Sequence, residues 1–191
     1  MKRTHPEKGQ YGYRNYHKKA ELLKIAAGAA VILIQLGARM LTERVSLQNL
    51  LTVMAIVSVL PVANLAAPLL AAFPYRTPGE DFHQKLMPYE DRTAVLYDLI
   101  LTSKEYIMPM DGILIHPTGV YCYCTNPKLS VQKAEVFLNQ MFQSHRLDPH
   151  VKILTDEKSF FKRAASLKPA SEYEDDGSVE YTVNLLKNLS M

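Results

Sequence analysis

One uncharged stretch, from Leu50 to Tyr75, constrains this chain more than any other feature of its sequence. It contains 26 residues without Asp, Glu, Lys or Arg. A helix that rises about 1.5 Å per residue needs about 20 apolar residues to cross a hydrocarbon core roughly 30 Å thick. The stretch therefore predicts a membrane-spanning helix. Pro61 and Pro68 each remove a backbone donor within it, and the Asn64 amide can hydrogen-bond a second helix or a freed carbonyl.

A shorter uncharged stretch precedes it, from Ile25 to Ala38. It spans a bilayer if its flanking apolar residues are included and Lys24 and Arg39 extend toward the headgroups. A short apolar run after a basic region is also typical of a secretory signal peptide. The long tail before it, the lack of a small-x-small cleavage site before the charges and the span that follows at once favour a helix that stays in the membrane. We expect spans at about 24–41 and 50–75, joined by a loop so short that they form an antiparallel hairpin.

The basic residues predict how this hairpin is oriented. Residues 1–24 contain seven Lys and Arg, whereas the region between the spans has only Arg39 and Arg44. Positive residues remain preferentially on the cytoplasmic side, so we expect a multi-pass protein of the cell membrane with both termini in the cytoplasm. The rest of the chain then lies in a reducing compartment, which agrees with its having only two cysteines, Cys122 and Cys124, too few for a disulfide framework.

The basic tail, residues 1–24, has a net charge of +5 from seven Lys and Arg against two Glu, with Tyr11, Tyr13 and Tyr16 interleaved. Cations and aromatic residues together can bind single-stranded nucleic acid. They can equally lie on anionic lipid beside a span. Because the tail adjoins a span, and because residues 76–191 have 13 Lys and Arg against 16 Asp and Glu, we expect a membrane-lipid partner and no nucleic-acid partner.

Beyond a Pro-bounded linker at 76–88, the pattern of residues 89–191 predicts a small cytoplasmic α/β domain. Asp91 is suited to cap a helix over Ala94 to Ile100. Tyr106 to Ile115 and Val120 to Thr125 are rich in β-branched and aromatic residues and flank a turn, so they predict a β-hairpin. Asp111-Gly112 is itself a turn signal, which leaves open two short strands in place of the first arm.

Helical periodicity continues after the hairpin. Ser130 precedes a helix whose apolar face includes Phe137, so Phe137→Asp is expected to unfold the domain. His150 to Leu154 predicts a third strand, and Thr155 or Asp156 caps a helix that ends before Pro169. Residues 170–178 read as an acidic linker, and Val179 to Leu189 fits either a strand or a helix. The order α-β-β-α-β-α predicts a three- or four-stranded sheet covered by helices on at least one face.

Chemistry-bearing residues are sparse. Cys122 and Cys124 alternate with tyrosines on a strand, so both thiols share one face. A zinc site would need further ligands, for which His116 and Asp111 are conceivable. The simpler interpretation is that both cysteines are buried core residues. The sequence has no HExxH spacing and no Gly-rich phosphate loop. The pairs Glu90-Asp91 and Asp156-Glu157 lie where helices are expected to start, which suits capping. We therefore assign no catalytic, cofactor-binding or metal-binding residue.

Two resemblances bear on function. The run from Asp111 to Thr125 resembles the central hairpin of restriction-endonuclease-like nucleases of the NERD type, in which an Asp and an E-x-K hold magnesium. Only Asp111 matches, since Tyr123, Cys124 and Thr125 stand where the carboxylate and lysine belong, and this departure argues against an active nuclease.

The second resemblance covers nearly the whole chain. The basic Tyr-rich head, the first span, the run from Asn49 to Val57 leading into Leu60-Pro61, Leu96 to Leu99 and Val151 to Leu154 together resemble a family of small uncharacterised bacterial two-span membrane proteins. This likeness implies the topology and domain order and no site. We expect a non-catalytic, membrane-anchored interaction or regulatory module, with a protein partner or a homo-oligomer formed through the spans. The alternative is a divergent or inactive membrane-tethered nuclease-like hydrolase.

Overall fold

The computed structural model describes residues 5–103, 105–148, 150–174 and 176–191. The described chain divides into two compact units. The hairpin unit is 15–75, and the α/β unit combines the described residues of 1–14 and 76–191. The elements in chain order are α1 (Tyr13–Leu41), α2 (Val45–Ala72), α3 (Glu80–Leu86), a 3-10 turn (Met87–Tyr89), β1 (Ala94–Thr102), β2 (Ile107–His116), β3 (Gly119–Tyr123), α4 (Val131–Ser144), β4 (Val151–Leu154), α5 (Glu157–Ser166), a second 3-10 turn (Ala170–Glu172) and α6 (Ser178–Leu189).

The hairpin unit consists of two long apolar helices. Both are long and apolar enough to span a membrane, and 0% and 6% of their most apolar stretches are buried within the protein. The helices meet closely at Gly28, where an added Cβ would lie 2.5 Å from a Val62 methyl group. Gln35 and Ser58 hydrogen-bond each other across the pair at 3.3 Å. Asn64, in contrast, is exposed, and among the described residues its side chain has no hydrogen bond to the other helix.

The α/β unit is built on a four-stranded mixed sheet in the order β1-β2-β3-β4. The first three strands are antiparallel, and β4 joins β3 in parallel after the α4 crossover. One core lies between the sheet and helices α4 and α6, and a second lies between the sheet and helices α3 and α5. The expected α/β fold with a helix-covered sheet is confirmed, with four strands and helices on both faces.

Strand β1 corrects the helix expected after Asp91. Residues Ala94–Thr102 form an edge strand that is buried over most of its length. The run is apolar almost throughout, because Leu96 and Leu99 face the first core while Tyr97 faces the second. A continuous apolar run does not distinguish a buried strand from a helix by periodicity. The helix prediction was wrong because it depended on Asp91 as an apparent helix cap.

The predicted β-hairpin is confirmed, and its first arm is one continuous strand. His116 pairs with Gly119 across the turn, and β2 runs unbroken from Ile107 to His116. Asp111-Gly112 is therefore not a turn. A Cβ on Gly112 would lie 3.0 Å from side-chain atoms of both Phe82 and Leu86, so the glycine allows α3 to approach the sheet closely.

Two later helices, α4 and α5, begin where local sequence signals predict. Helix α4 begins after Ser130, as predicted, although the serine side chain makes no capping bond. Helix α5 is capped by Asp156, whose carboxylate accepts a hydrogen bond from the Ser159 amide at 2.8 Å. The segment left open between strand and helix is helix α6. Residue Asp175 of the predicted acidic linker lies outside the described residues.

Side chains of α4 cover the outer edge of β4. The Asn139 side chain accepts from the Val151 amide at 2.8 Å and donates to the Val151 carbonyl at 3.3 Å. Glu135 accepts from the Ile153 amide at 2.8 Å. Both side chains satisfy backbone groups that an edge strand leaves open.

Candidate functional site

The most distinctive polar feature of the α/β unit is a buried cluster around Arg14. This side chain is 4% exposed although it belongs to the basic tail. Its Nη1 donates to Asp111 Oδ1 at 3.0 Å and to the Arg76 carbonyl at 2.6 Å, and its Nη2 donates to the Met110 carbonyl at 2.9 Å. The chain leaves the α/β unit after Arg14 and returns to it at Arg76. The Arg14 guanidinium group therefore bonds the point where the chain leaves the unit to the point where it re-enters, and bonds both to β2.

A second buried carboxylate completes this cluster. Asp98 is 2% exposed, and its backbone has a φ of +58°, which is rare for a residue with a side chain. One carboxylate oxygen accepts from the Gly12 amide and from the Thr77 hydroxyl, each at 2.8 Å. Burial raises the pKa of Asp98, and the charge of Arg14 opposes that shift. The cluster thus binds the N-terminal segment, residues 5–14, to β1 and β2.

Both carboxylate oxygens of Asp111 accept hydrogen bonds. Its Oδ1 pairs with Arg14, and its Oδ2 accepts from the Thr125 amide at 3.0 Å and the Thr125 hydroxyl at 2.6 Å. Thr125 occupies the place of the lysine in the nuclease-like pattern, and Tyr123 and Cys124 are buried in the two cores. Magnesium needs oxygen ligands, whereas the groups that surround Asp111 are donors. Among the described residues, no three His, Cys, Asp or Glu side chains cluster as metal ligands would.

The N-terminal segment makes further contacts with the α/β unit. The Tyr97 amide donates to the Gly9 carbonyl at 2.8 Å, which engages the outer edge of β1. Lys8 donates to the Ser190 carbonyl at 2.7 Å, near the end of α6. The Tyr11 ring stacks on His83 with centroids 4.2 Å apart. Residues 8–14 of the basic tail therefore pack on protein, and residues 1–4 lie outside the described chain. The expected lipid partner of the tail stays a prediction.

A recess of about 450 Å³ opens beside these rings, lined in part by Tyr11, His83, Glu90 and Tyr97. The Tyr97 hydroxyl donates to Glu90 at 2.6 Å, and burial is the main cause of the raised pKa of this tyrosine. A tyrosine whose pKa is raised stays protonated near neutral pH. It is a hydrogen-bond donor there, which does not suit a general base.

The two cysteines lie in the first core, on the opposite face from Tyr121 and Tyr123, as their alternation predicts. Both are 0% exposed and unpaired by disulfide. Burial raises the pKa of Cys122 and raises that of Cys124 to about 11. Thiols in this state are protonated at neutral pH and make poor nucleophiles.

His116, considered as a conceivable metal ligand, is 3% exposed at the end of β2. Its Nδ1 lies 2.8 Å from the Thr118 hydroxyl, and its Nε2 lies 3.0 Å from the Lys168 carbonyl. Burial lowers the pKa of the ring. A carbonyl accepts and does not donate, so Nε2 carries the hydrogen and Nδ1 is the acceptor in the neutral tautomer. The ring holds the turn between β2 and β3 against the segment before Pro169.

A cleft of about 890 Å³ lies between α4 and the segment that joins β1 to β2. Its walls combine apolar and polar side chains, among them Thr102, Tyr106, Lys133, Val136, Phe137 and Gln140. The Lys133 ammonium lies 5.8 Å from the centre of the Tyr106 ring. Clefts of this size and mixed lining are typical of binding sites. Phe137 is only half-buried because it forms one wall.

Sequence reasoning considered Asp111 but missed that Arg14 and Thr125 are its partners. It also missed the neighbouring Asp98 with its partner Thr77. A signal was present, because Asp98 and Asp111 each interrupt an apolar run and a carboxylate in such a run needs a cation or several donors. The sequence did not show which of its many basic residues supplies that charge.

Comparisons of the chain with known protein families, with curated proteins and with solved structures found no match. The two resemblances that its motifs suggest therefore stay predictions.

Proposed function

We propose that this protein is a membrane-anchored, non-catalytic interaction module. The hairpin unit holds the α/β unit at the cytoplasmic face of the cell membrane, where a partner binds it. The observation that carries this proposal is the apolar surface of the hairpin. Large side chains such as Leu33, Ile34, Leu60 and Leu70 are each 66% to 71% exposed. Surfaces this apolar on paired helices suit lipid and are costly in water.

Two alternative interpretations of the apolar helices fit the structure less well. The core helix of a soluble protein is mostly buried, whereas these helices are not. A cleaved signal sequence would take the N-terminal segment away with it. That loss would leave Asp111 and Asp98 buried without Arg14, an arrangement that costs several kcal/mol, about 3–5 for a broken buried pair.

The hydrogen bonds to both oxygens of Asp111 support the non-catalytic part of the proposal. A nuclease-like hydrolase needs a free carboxylate to bind metal, and here Arg14 and Thr125 occupy both of its oxygens. The protonated thiols of Cys122 and Cys124 give no activated nucleophile either. The cleft beside Tyr106 and Phe137 is therefore our candidate surface for the partner.

Extraction of membranes from cells that produce the full chain tests the anchor. We expect the chain to stay in the pellet through washes with high salt and with alkaline carbonate, and to be released only by detergent. A matched variant with Leu33→Lys and Leu60→Lys places one charge in each span and is expected to leave the pellet. Release of the unaltered chain by carbonate alone would contradict the proposal.

Site-specific photo-cross-linking in intact cells tests the binding surface. A photoreactive residue at Val136, on the cleft wall, is expected to give a discrete adduct that Phe137→Asp abolishes. The same residue at Lys158, exposed on α5 and outside the cleft, serves as the control. Equal labelling from the two positions, or an adduct that Phe137→Asp leaves unchanged, would rule out the cleft as the partner site.

A further inference from the structure

Helix α2 has a polar spot on the side turned away from α1. Val62 meets α1 at Gly28. Ala55, 4% exposed, and Leu69, 8% exposed, lie seven residues before and after Val62 and so share its side of the helix. Asn64 follows Val62 by two residues, which is about 200° around a helix with 3.6 residues per turn. The Asn64 side chain is exposed and has no hydrogen bond among the described residues.

Two backbone carbonyls near this side chain also lack their usual helical hydrogen-bond donors. Pro68 lies four residues after Asn64 and has no N–H to donate to the Asn64 carbonyl. Pro61 likewise cannot donate to the carbonyl of Val57. Residues three, four and seven apart share one side of a helix. An amide side chain and two carbonyls without their usual helical donors therefore occur along one face of α2.

This face lies at hydrocarbon depth if α2 spans the membrane. Asn64 is about 8 Å along the axis from the midpoint of the helix Val45–Ala72, at about 1.5 Å per residue. The hydrocarbon core extends about 15 Å to either side of its centre. No water is available there to hydrogen-bond an amide or a carbonyl, so polar groups at this depth pair with protein.

We propose that two copies of this chain associate through this face of α2, with their Asn64 side chains hydrogen-bonded to each other. The inference rests on the proposed membrane anchoring. A second copy fits because an amide is both donor and acceptor, so a two-fold axis beside Asn64 lets each side chain donate to the other. The second hydrogen of each side-chain amide is then available to donate to the backbone carbonyl of Asn64, which Pro68 leaves without its usual helical donor. Ala67, one turn further along the face, is small enough to let the backbones approach.

Disulfide cross-linking of the full chain in native membranes tests this arrangement. Leu60→Cys places a thiol one turn before Asn64 on the same face, and Leu70→Cys places one on a different exposed side of α2. The native Cys122 and Cys124 are 0% exposed and give no background. We expect oxidation to produce dimers from Leu60→Cys and few or none from Leu70→Cys.

Variants at the amide itself identify the contact. Hydrogen bonds between membrane helices contribute about 1–2 kcal/mol in model peptides, which corresponds to a roughly 5- to 30-fold change in association. We expect energy transfer between labelled chains in vesicles to show a loss of that size for Asn64→Ala and a smaller one for Asn64→Gln. Gln35→Ala removes an amide that bonds Ser58 within the hairpin and is expected to leave association unchanged.

The possible results separate this inference from the anchoring proposal. Chains that stay in carbonate-washed membranes but remain monomeric would overturn the self-association alone. So would equal association of Asn64→Ala and the unaltered chain, or equal cross-linking from Leu60→Cys and Leu70→Cys. Release of the chain from membranes by carbonate would overturn both proposals.

Discussion

Arg14 is the residue whose environment differs most from what its type suggests. A guanidinium group loses its hydration when it is buried, and the loss is offset only by good partners. Here the partners are one carboxylate, Asp111, and the carbonyls of Arg76, Leu99 and Met110. The carbonyls come from two adjacent strands and from the returning chain. Arg14 therefore stabilises a particular arrangement of three segments that are distant in sequence.

Replacing Arg14 tests this role. Arg14→Met leaves the Asp111 carboxylate buried without its cation, and we expect the free energy of unfolding to fall by about 3–5 kcal/mol. Chemical unfolding of the full chain in detergent, followed by circular dichroism, measures it. Arg14→Met combined with Asp111→Asn removes both charges and is expected to recover part of the loss. Lys19→Met, an exposed position on the same helix, is the control, and a loss as large in this variant would disprove a specific role for Arg14.

His116 gives the α/β unit a dependence on pH. Burial lowers the pKa of its ring below the ordinary value of 6.5. Well above pH 6.5 the ring is neutral in both states and adds no pH dependence. As the pH falls from 6.5 through the lowered pKa, the unfolded chain takes up the proton first, so the free energy of unfolding decreases.

Comparison with His116→Gln isolates this contribution, since other groups titrate in both proteins. We expect the unaltered chain to lose more stability than the variant between pH 7.5 and pH 5.0, as measured by denaturant midpoints in detergent. Parallel losses in the two proteins would show that the ring does not titrate in this way.

At the scale of elements, α4 has two functions. Its apolar residues Ala134, Leu138 and Phe142 enter the first core, while Glu135 and Asn139 cover the edge of β4. Open strand edges invite pairing with other chains. The helix thus contributes both packing and protection of the sheet.

Edge protection by Asn139 is measurable by hydrogen exchange. Asn139→Ala removes the acceptor from the buried Val151 amide, and an unsatisfied buried donor costs about 1–3 kcal/mol. We expect faster deuterium uptake in the peptide that contains Val151–Leu154. Gln140→Ala, the next residue and exposed, should leave that uptake unchanged. Unaltered exchange in Asn139→Ala would mean that the side chain does not hold the edge.

Core packing by α4 centres on Leu138 and not on Phe137. Leu138 is 0% exposed, so Leu138→Ala is expected to lower stability by about 2–5 kcal/mol. Phe137 is half-buried on the cleft wall, where a charge can reach water. We therefore expect Phe137→Asp to cost less than Leu138→Ala and to leave the unit folded, unlike the expectation from periodicity alone. Thermal melting of the two variants ranks them, and a lower melting temperature for Phe137→Asp would reverse this assignment.

Local signals explain which elements were predictable. The Asp156 cap, the turn between His116 and Gly119 and the periodicity of α4 are all readable within a few residues of sequence, and the structure has these elements at or close to the expected positions. Strand β1 was predicted as a helix because it is buried in a core on each face, which gives it a continuous apolar sequence without the alternation of a half-exposed strand. The Arg14 cluster depends on contacts between residues about 60 to 100 positions apart, and neither periodicity nor turn signals report such contacts.

At the scale of the whole molecule, the chain combines a hairpin of exposed apolar surface with an α/β unit that has two hydrophobic cores, one on each face of its sheet. Its N-terminal segment belongs to the α/β unit by contact although it precedes the hairpin in sequence. The chain leaves that unit after Arg14 and returns to it at Arg76, and these two residues are hydrogen-bonded to each other. This organisation supports the proposal of a membrane-anchored module.

Labelling with a membrane-impermeant maleimide in intact cells tests this conclusion most directly. Glu43→Cys places a thiol in the exposed loop between α1 and α2, and Lys158→Cys places one on exposed α5, while Cys122 and Cys124 are 0% exposed. We predict that Glu43→Cys is labelled from outside the cell and that Lys158→Cys is labelled only after the membrane is permeabilised. Labelling of Lys158→Cys in intact cells, or no labelling of Glu43→Cys before permeabilisation, would contradict a cytoplasmic α/β unit anchored by a spanning hairpin.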